Sequence, residues 1–179
     1  ISTDSPVDLA EAIFVIDDAG DNSVAVLNRL REELGWIRII HLSNNFGQHP
    51  ATMAGILFSV GHWIVTLDED LQHHPKHILT MLEEAVLIQA DIVYAQSTIT
   101  VHGRFRDFSS RLVKKVLSVM SANPHVTLFN SFRVVRGDIA RAAAALATSN
   151  TYFDIALVWF SNRVRSCPLP LVEQRQIND

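Results

Sequence analysis

One cysteine, Cys167, is all this chain has, so no disulfide can form within it and a reducing compartment such as the cytosol is expected. Long apolar runs are missing too. None reaches the roughly 18 residues that cross a bilayer, and the nearest stretch, ILFSVGHWIVTL at 56–67, is broken by Gly61 and His62. Positive charge is in deficit: 15 Lys and Arg against 19 Asp and Glu leave a net charge of −4. A general nucleic-acid binder usually shows a basic face, so the balance argues against that class. Glycine and proline are sparse, at 7 and 6, and no tract of either marks a linker, a repeat or low complexity. The chain therefore reads as one domain, residues 1–179, long enough to bury a real core. It opens on ISTDSP, with no Met and no signal peptide, and reads as a trimmed piece.

What is present alternates. AIFVI (12–16) is a buried strand, and Asn22 or Ser23 can cap a helix whose Val24, Leu27, Leu30 and Leu34 share a face. WIRIIHL (36–42) reads as a second strand. Pro50 suits the first position of a helix with the apolar stripe Met53, Ile56, Leu57 and Val60. HWIVTL (62–67) is a third strand, and Pro75 opens a helix with Ile78, Leu79, Leu82 and Val86 facing inward. DIVYA (91–95) is a fourth strand. This rhythm predicts an α/β fold, a mostly parallel sheet flanked by helices. Beyond residue 96 come a basic amphipathic helix (TVHGRFRDFSSRLVKKVLSVM), a short strand (NSFRVV), two helices (DIARAAAALA and YFDIALVWF) and a final strand followed by a loop.

Acids fall where the strands end, which is where parallel sheets bind ligands. In TLDEDLQHHP the third strand runs into Asp68, Glu69 and Asp70. Extended chain puts Asp68 and Asp70 on one side, a hard oxygen pair suited to Mg²⁺ or Mn²⁺, with Gln72 able to add a carbonyl oxygen. The plain alternative is a solvated acidic turn before the helix at Pro75. VIDDAGDN (15–22) makes a good turn and helix cap, or else a carboxylate for a nucleobase or ribose. NNFGQHPATMAG (44–55) sets Gly47 before a helix: a plain turn, or a positive φ and an approach for a phosphate. The histidines of HHPKH, His73, His74 and His77, are expected to be exposed beside a helix start rather than to bind zinc. Arg104, Arg106, Arg111, Lys114 and Lys115 make a basic face that is solvated or meets anionic head groups.

Taken together, FVIDDAGD, LSNNFGQHPATMAG and GHWIVTLDEDLQHHP, in this order and spacing, resemble the inverting family 2 glycosyltransferases of the GT-A, Rossmann-like fold. Within that family they are most like the enzymes that pass a sugar to a polyprenyl phosphate, of the dolichol-phosphate mannose synthase and undecaprenyl-phosphate aminoarabinose transferase type. The likeness runs from about residue 12 to 175.

The resemblance implies a donor, a UDP- or GDP-linked sugar, and a divalent cation, Mg²⁺ or Mn²⁺. It implies that Asp17 and Asp18 sit at the base and ribose, with Asn45 and Gly47 completing the nucleotide site. Asp68, Asp70 and Gln72 would hold the metal, Asp70 chiefly. Arg106, with Arg111, would lie toward the phosphates, and Arg175 would hold an acceptor or donor phosphate. The acceptor would be a polyprenyl phosphate; a saccharide acceptor would need a base, for which Asp154, otherwise a helix cap or surface acid, is the candidate. Also implied are a place at the cytoplasmic face of the membrane, a role in cell-wall or polysaccharide synthesis, and a possible homo-oligomer. The chain departs from the family in lacking its first strand, with Pro and Tyr or Asn near the nucleotide. It offers Ser97 and Thr100 where an arginine is usual, and it ends before a Gly-x-Ser-x-Tyr segment and any membrane helices. A truncated piece of this kind is expected to bind its donor weakly or not at all; the alternative is a catalytically silent domain that binds a nucleotide-sugar or a partner.

Overall fold

The computed structural model describes residues 7–18, 20–68, 73–97, 124–148 and 151–170. The amphipathic segment predicted around residues 100–120 lies outside them. The chain forms two compact units, and each takes its residues from two separate stretches. The first comprises residues 1–64 and 136–160, the second residues 65–135 and 161–179.

In the first unit, β1 (Ala12–Ile16) pairs in parallel with β2 (Ile37–His41), and Ala12 lies opposite Ile37. Between them runs α1 (Ser23–Glu33), whose Val24, Leu27 and Leu30 are half-buried as their spacing predicts. Its cap differs from expectation. Asn22 makes no capping bond; the Asp21 carboxylate instead accepts the Ser23 N–H at 2.9 Å. The bonds to Ser23 hold the Asp21 carboxyl below its ordinary range.

Helix α2 (Gln48–Leu57) begins two residues before Pro50. Proline is tolerated there because first-turn N–H groups have no partner within the helix. Met53 and Ile56 are buried, but Leu57 and Val60 are exposed, which corrects the predicted stripe. The helix stops at Leu57, and the loop beyond it is tied outward. Glu11 accepts the Val60 N–H at 2.6 Å and pairs with Arg38, which also donates to the Phe58 carbonyl at 2.7 Å. Helix α4 (Gly137–Leu146) packs on α2 and on α5 (Phe153–Phe160). Its buried Ala140, Ala143 and Ala144 leave little between the helix axes.

The second sheet is mixed. Its order is β3 (Trp63–Thr66), β5 (Arg133–Arg136), β4 (Ile92–Ser97), β6 (Val164–Leu169). Strand β6 runs parallel to β4, but β5 runs antiparallel to it. The mostly parallel sheet expected from the rhythm is thus divided into a parallel pair and a mixed sheet. A parallel neighbour needs a crossover, which α4 and α5 supply before β6; an antiparallel one does not. Strand β4 is central and buries Ile92, Val93 and Tyr94 completely. Strand β6 lies at the edge of the order, which tolerates Pro168 with its missing N–H.

Helix α3 (His77–Leu87) faces β4 and β6. Met81, Leu82 and Ala85 are its buried residues, whereas Val86 is 64% exposed, so the inward face is rotated from the predicted one. Asp91, buried just before β4, pairs with Arg163 at 2.6 Å and ties the entry of β4 to that of β6. No helix among the described residues is long and apolar enough to cross a membrane.

Candidate functional site

Asp17 follows β1, which was expected to be buried but in which only Ile16 is buried and Phe14 is exposed, and both its carboxylate oxygens are engaged. Oδ1 accepts the Phe46 N–H and Oδ2 the Gly47 N–H, each at 2.7 Å. Asp17 therefore clasps the loop after β2, bringing two predicted site residues, Asp17 and Gly47, into direct contact. Gly47 has φ +89 and ψ 167, a conformation essentially reserved for glycine, although a Cβ there would touch nothing within 4 Å. The requirement is one of backbone, not of space. Asp18 follows with φ 59, a left-handed conformation uncommon for a residue with a side chain, and is exposed. Asn45 is exposed in the loop that Asp17 holds.

In the second unit, Asp68 stands just past β3. Its Oδ2 accepts the Ser131 hydroxyl at 2.5 Å. Thr66, two residues earlier, donates from its hydroxyl to the Ser131 carbonyl at 2.6 Å. The turn that carries Ser131 is braced by Asn130, whose amide donates to the Ala95 carbonyl at 3.0 Å and whose Oδ1 accepts the Phe132 N–H at 3.1 Å. His73 is buried rather than exposed as expected: its ring lies 5.0 Å from that of Phe132, and among the described residues its Nδ1 has no hydrogen-bond partner. Asp70, Gln72, Arg106, Arg111 and Arg175 lie outside the described residues.

Among the described residues no three His, Cys, Asp or Glu side chains gather in one place. Asp68 supplies a hard oxygen donor at a strand end, the ligand chemistry that Mg²⁺ and Mn²⁺ favour. The donor type fits such an ion; Asp70 and Gln72, the other residues expected to hold it, lie outside the described residues.

Asp154 is not a surface acid: it is 1% exposed and sits in the first turn of α5. A cleft of about 380 Å³ in the first unit is lined by His62, Trp63, Arg136, Asp138 and Arg141, none of which the sequence singled out. Arg141 donates there to the Ser59 and Gly61 carbonyls, and Arg136 pairs with Asp138. Burial works to raise the Asp138 carboxyl, but the Arg136 hydrogen bond, the Ile139 N–H and the Arg136 charge outweigh it and hold it below its ordinary range. Ser131 and Asn130 were also not flagged. The only local hint is a pair of small polar residues just before an apolar strand, which marks a turn and nothing more.

These features accord with known proteins. The model of "Glycosyl transferase family 2" matches residues 5–148. A curated relative from Sodalis glossinidius, "Undecaprenyl-phosphate 4-deoxy-4-formamido-L-arabinose transferase", is 29% identical over 97% of this chain and 53% of its own length. One of the same name from Pseudomonas fluorescens is 31% identical over 81% of this chain and 42% of its own. The chain thus spans about half the length of these relatives. Among solved structures, S. aureus TarS superposes with a TM-score of 0.59 at 12% identity, covering 88% of this chain and 48% of that one. Glucosyl-3-phosphoglycerate synthase from Mycobacterium tuberculosis, solved with Mn²⁺, UDP-glucose and phosphoglyceric acid, gives 0.54 at 11% identity over 87% of this chain and 57% of that one. At such identities the likeness is one of fold, that of the GT-A glycosyltransferases. The α/β architecture, the strand-end acids and a family match that runs through both units make this chain a member of glycosyl transferase family 2.

Proposed function

We propose that the two units work as one metal-dependent glycosyltransferase domain, moving a sugar from a nucleotide-diphospho-sugar to a polyprenyl phosphate with inversion at the anomeric carbon. The observation that carries this reading is the alignment of a relative named for undecaprenyl phosphate along 97% of the chain. The geometry supports it. Asp17 fixes the loop bearing Asn45 and Gly47, so a ribose or base would meet a preformed rim on which Asp18 is exposed. Asp68, Asp70 and Gln72 would hold a divalent cation, which supplies Lewis-acid stabilisation of the departing nucleoside diphosphate. Arg106 and Arg175 would hold the phosphates of donor and acceptor. The polyprenyl phosphate is already anionic, so attack needs no strong base, and positioning and charge neutralisation carry the catalysis. A saccharide acceptor is the weaker alternative. Its one candidate base, Asp154, is 1% exposed and offers almost no surface to a hydroxyl. We place the reaction at the cytoplasmic face of a membrane, where such an acceptor resides.

Isothermal titration with UDP and with GDP, each with and without Mn²⁺, tests the reading. Binding that Mn²⁺ strengthens, with that metal-dependent gain lost in Asp70→Ala, is expected. No binding of either nucleotide, or equal binding by Asp70→Ala, counts against the donor site. Transfer to a short-chain prenyl phosphate but not to a free sugar is expected for the acceptor.

A further inference from the structure

The acid-bearing end of β3 is anchored to one short turn, Asn130–Phe132, by three contacts of different kinds. Thr66 donates to the backbone of Ser131, the Ser131 hydroxyl donates to Asp68, and the buried His73 ring lies against Phe132. The turn is itself fixed to β4. Asn130 bonds the Ala95 carbonyl at 3.0 Å, and the Ala95 N–H donates to the Phe132 carbonyl at 2.9 Å. A serine hydroxyl has one proton to give, and two acceptors face it here: Asp68 Oδ2 at 2.5 Å and Asn130 Oδ1 at 3.5 Å. The shorter contact, to a charged group, takes the proton.

We propose that Ser131 is a positioning residue for the Asp68 carboxylate, holding it in the orientation in which it would receive a divalent cation with a nucleoside diphosphate. This rests on the donor-site reading above. A carboxylate on a strand end turns about two bonds, and a ligand that must meet an ion within a few tenths of an ångström gains from having that freedom removed beforehand. Thr66 and His73 place the backbone on either side of the acidic stretch, whereas Ser131 reaches the carboxylate's own oxygen. Loss of such a supporting partner typically weakens metal binding about 10- to 100-fold.

The test measures UDP and GDP binding to the full chain in EDTA and in Mn²⁺, for wild type, Ser131→Ala and Ser131→Thr. In EDTA all three proteins are expected to bind alike. In Mn²⁺, Ser131→Ala is expected to bind at least about tenfold more weakly, and Ser131→Thr, which keeps the hydroxyl, to return to within about threefold of wild type. Equal binding by Ser131→Ala in Mn²⁺ overturns the proposal while leaving the donor site standing. Equal losses in EDTA and in Mn²⁺ also overturn it, because they mark a collapsed turn rather than a misaimed carboxylate. Wild-type protein that binds neither nucleotide overturns both this proposal and the donor site on which it rests.

Discussion

Cys167 lies on β6, 4% exposed, and burial first, then the charge of Glu84, pushes its thiol above the ordinary range. The fold disfavours the thiolate, so this group's share of stability is present below the free-thiol value and is lost as the pH rises through the raised one. At pH 8.5 the folded protein is expected to react with iodoacetamide at least about tenfold more slowly than protein in urea. Equal rates would mean that β6 is open in solution. Residues differ in how far their surroundings could be read from sequence. Asp17 and Asp68 were legible as strand-end acids because an apolar run stops abruptly before each. The clasp of Asp17 on the Phe46 and Gly47 amides was not, because the turn and ligand readings make the same local pattern. Ser131 carried no signal beyond that of a turn: its partner lies 63 residues away.

Elements were more legible than their arrangement. Strand β1 was predicted at 12–16 and is found there, and the ends of the other strands move by one to three residues. Periodicity located α3 but chose the wrong inward residue in Val86, because apolar residues surround that helix and the pattern fixes its phase poorly. The reversal of β5 was illegible for a different reason. A short apolar run looks the same in either direction, and only its pairing with β4 settles the sense. One glycine holds a junction between elements. A Cβ at Gly137, where α4 begins, would stand 2.2 Å from the Gly61 carbonyl oxygen and 2.9 Å from the Arg141 guanidinium. The backbone oxygen cannot step aside as a side chain can. Gly137→Ala is therefore expected to destabilise by about 3 kcal/mol, read as a lower urea midpoint with an unchanged slope. An unchanged midpoint would show that α4 can slide along α2 at little cost.

At the scale of the molecule, neither unit is one continuous stretch of chain. The path passes from the first unit to the second within β3 and returns within β5, so each unit is finished by a later segment of sequence. A chain ending at residue 135 would lack α4, which packs on α2, and α5, which packs on α4, and would lack β6, which pairs with β4 along six residues. Such a fragment is expected to lose its cooperative thermal transition and to bind a hydrophobic dye at room temperature. A sharp transition in the fragment would refute the division into interleaved units. Family membership was readable because its motifs are contiguous, whereas the interleaving depends on which distant segments meet.

That interleaving sets a timetable for synthesis. As the chain leaves the ribosome, its first 64 residues emerge well before the segment 136–160 that completes their core. At roughly 5–20 residues per second, the nascent protein waits several seconds with an unfinished apolar surface. That interval is the cost of threading one polypeptide twice between the same two cores.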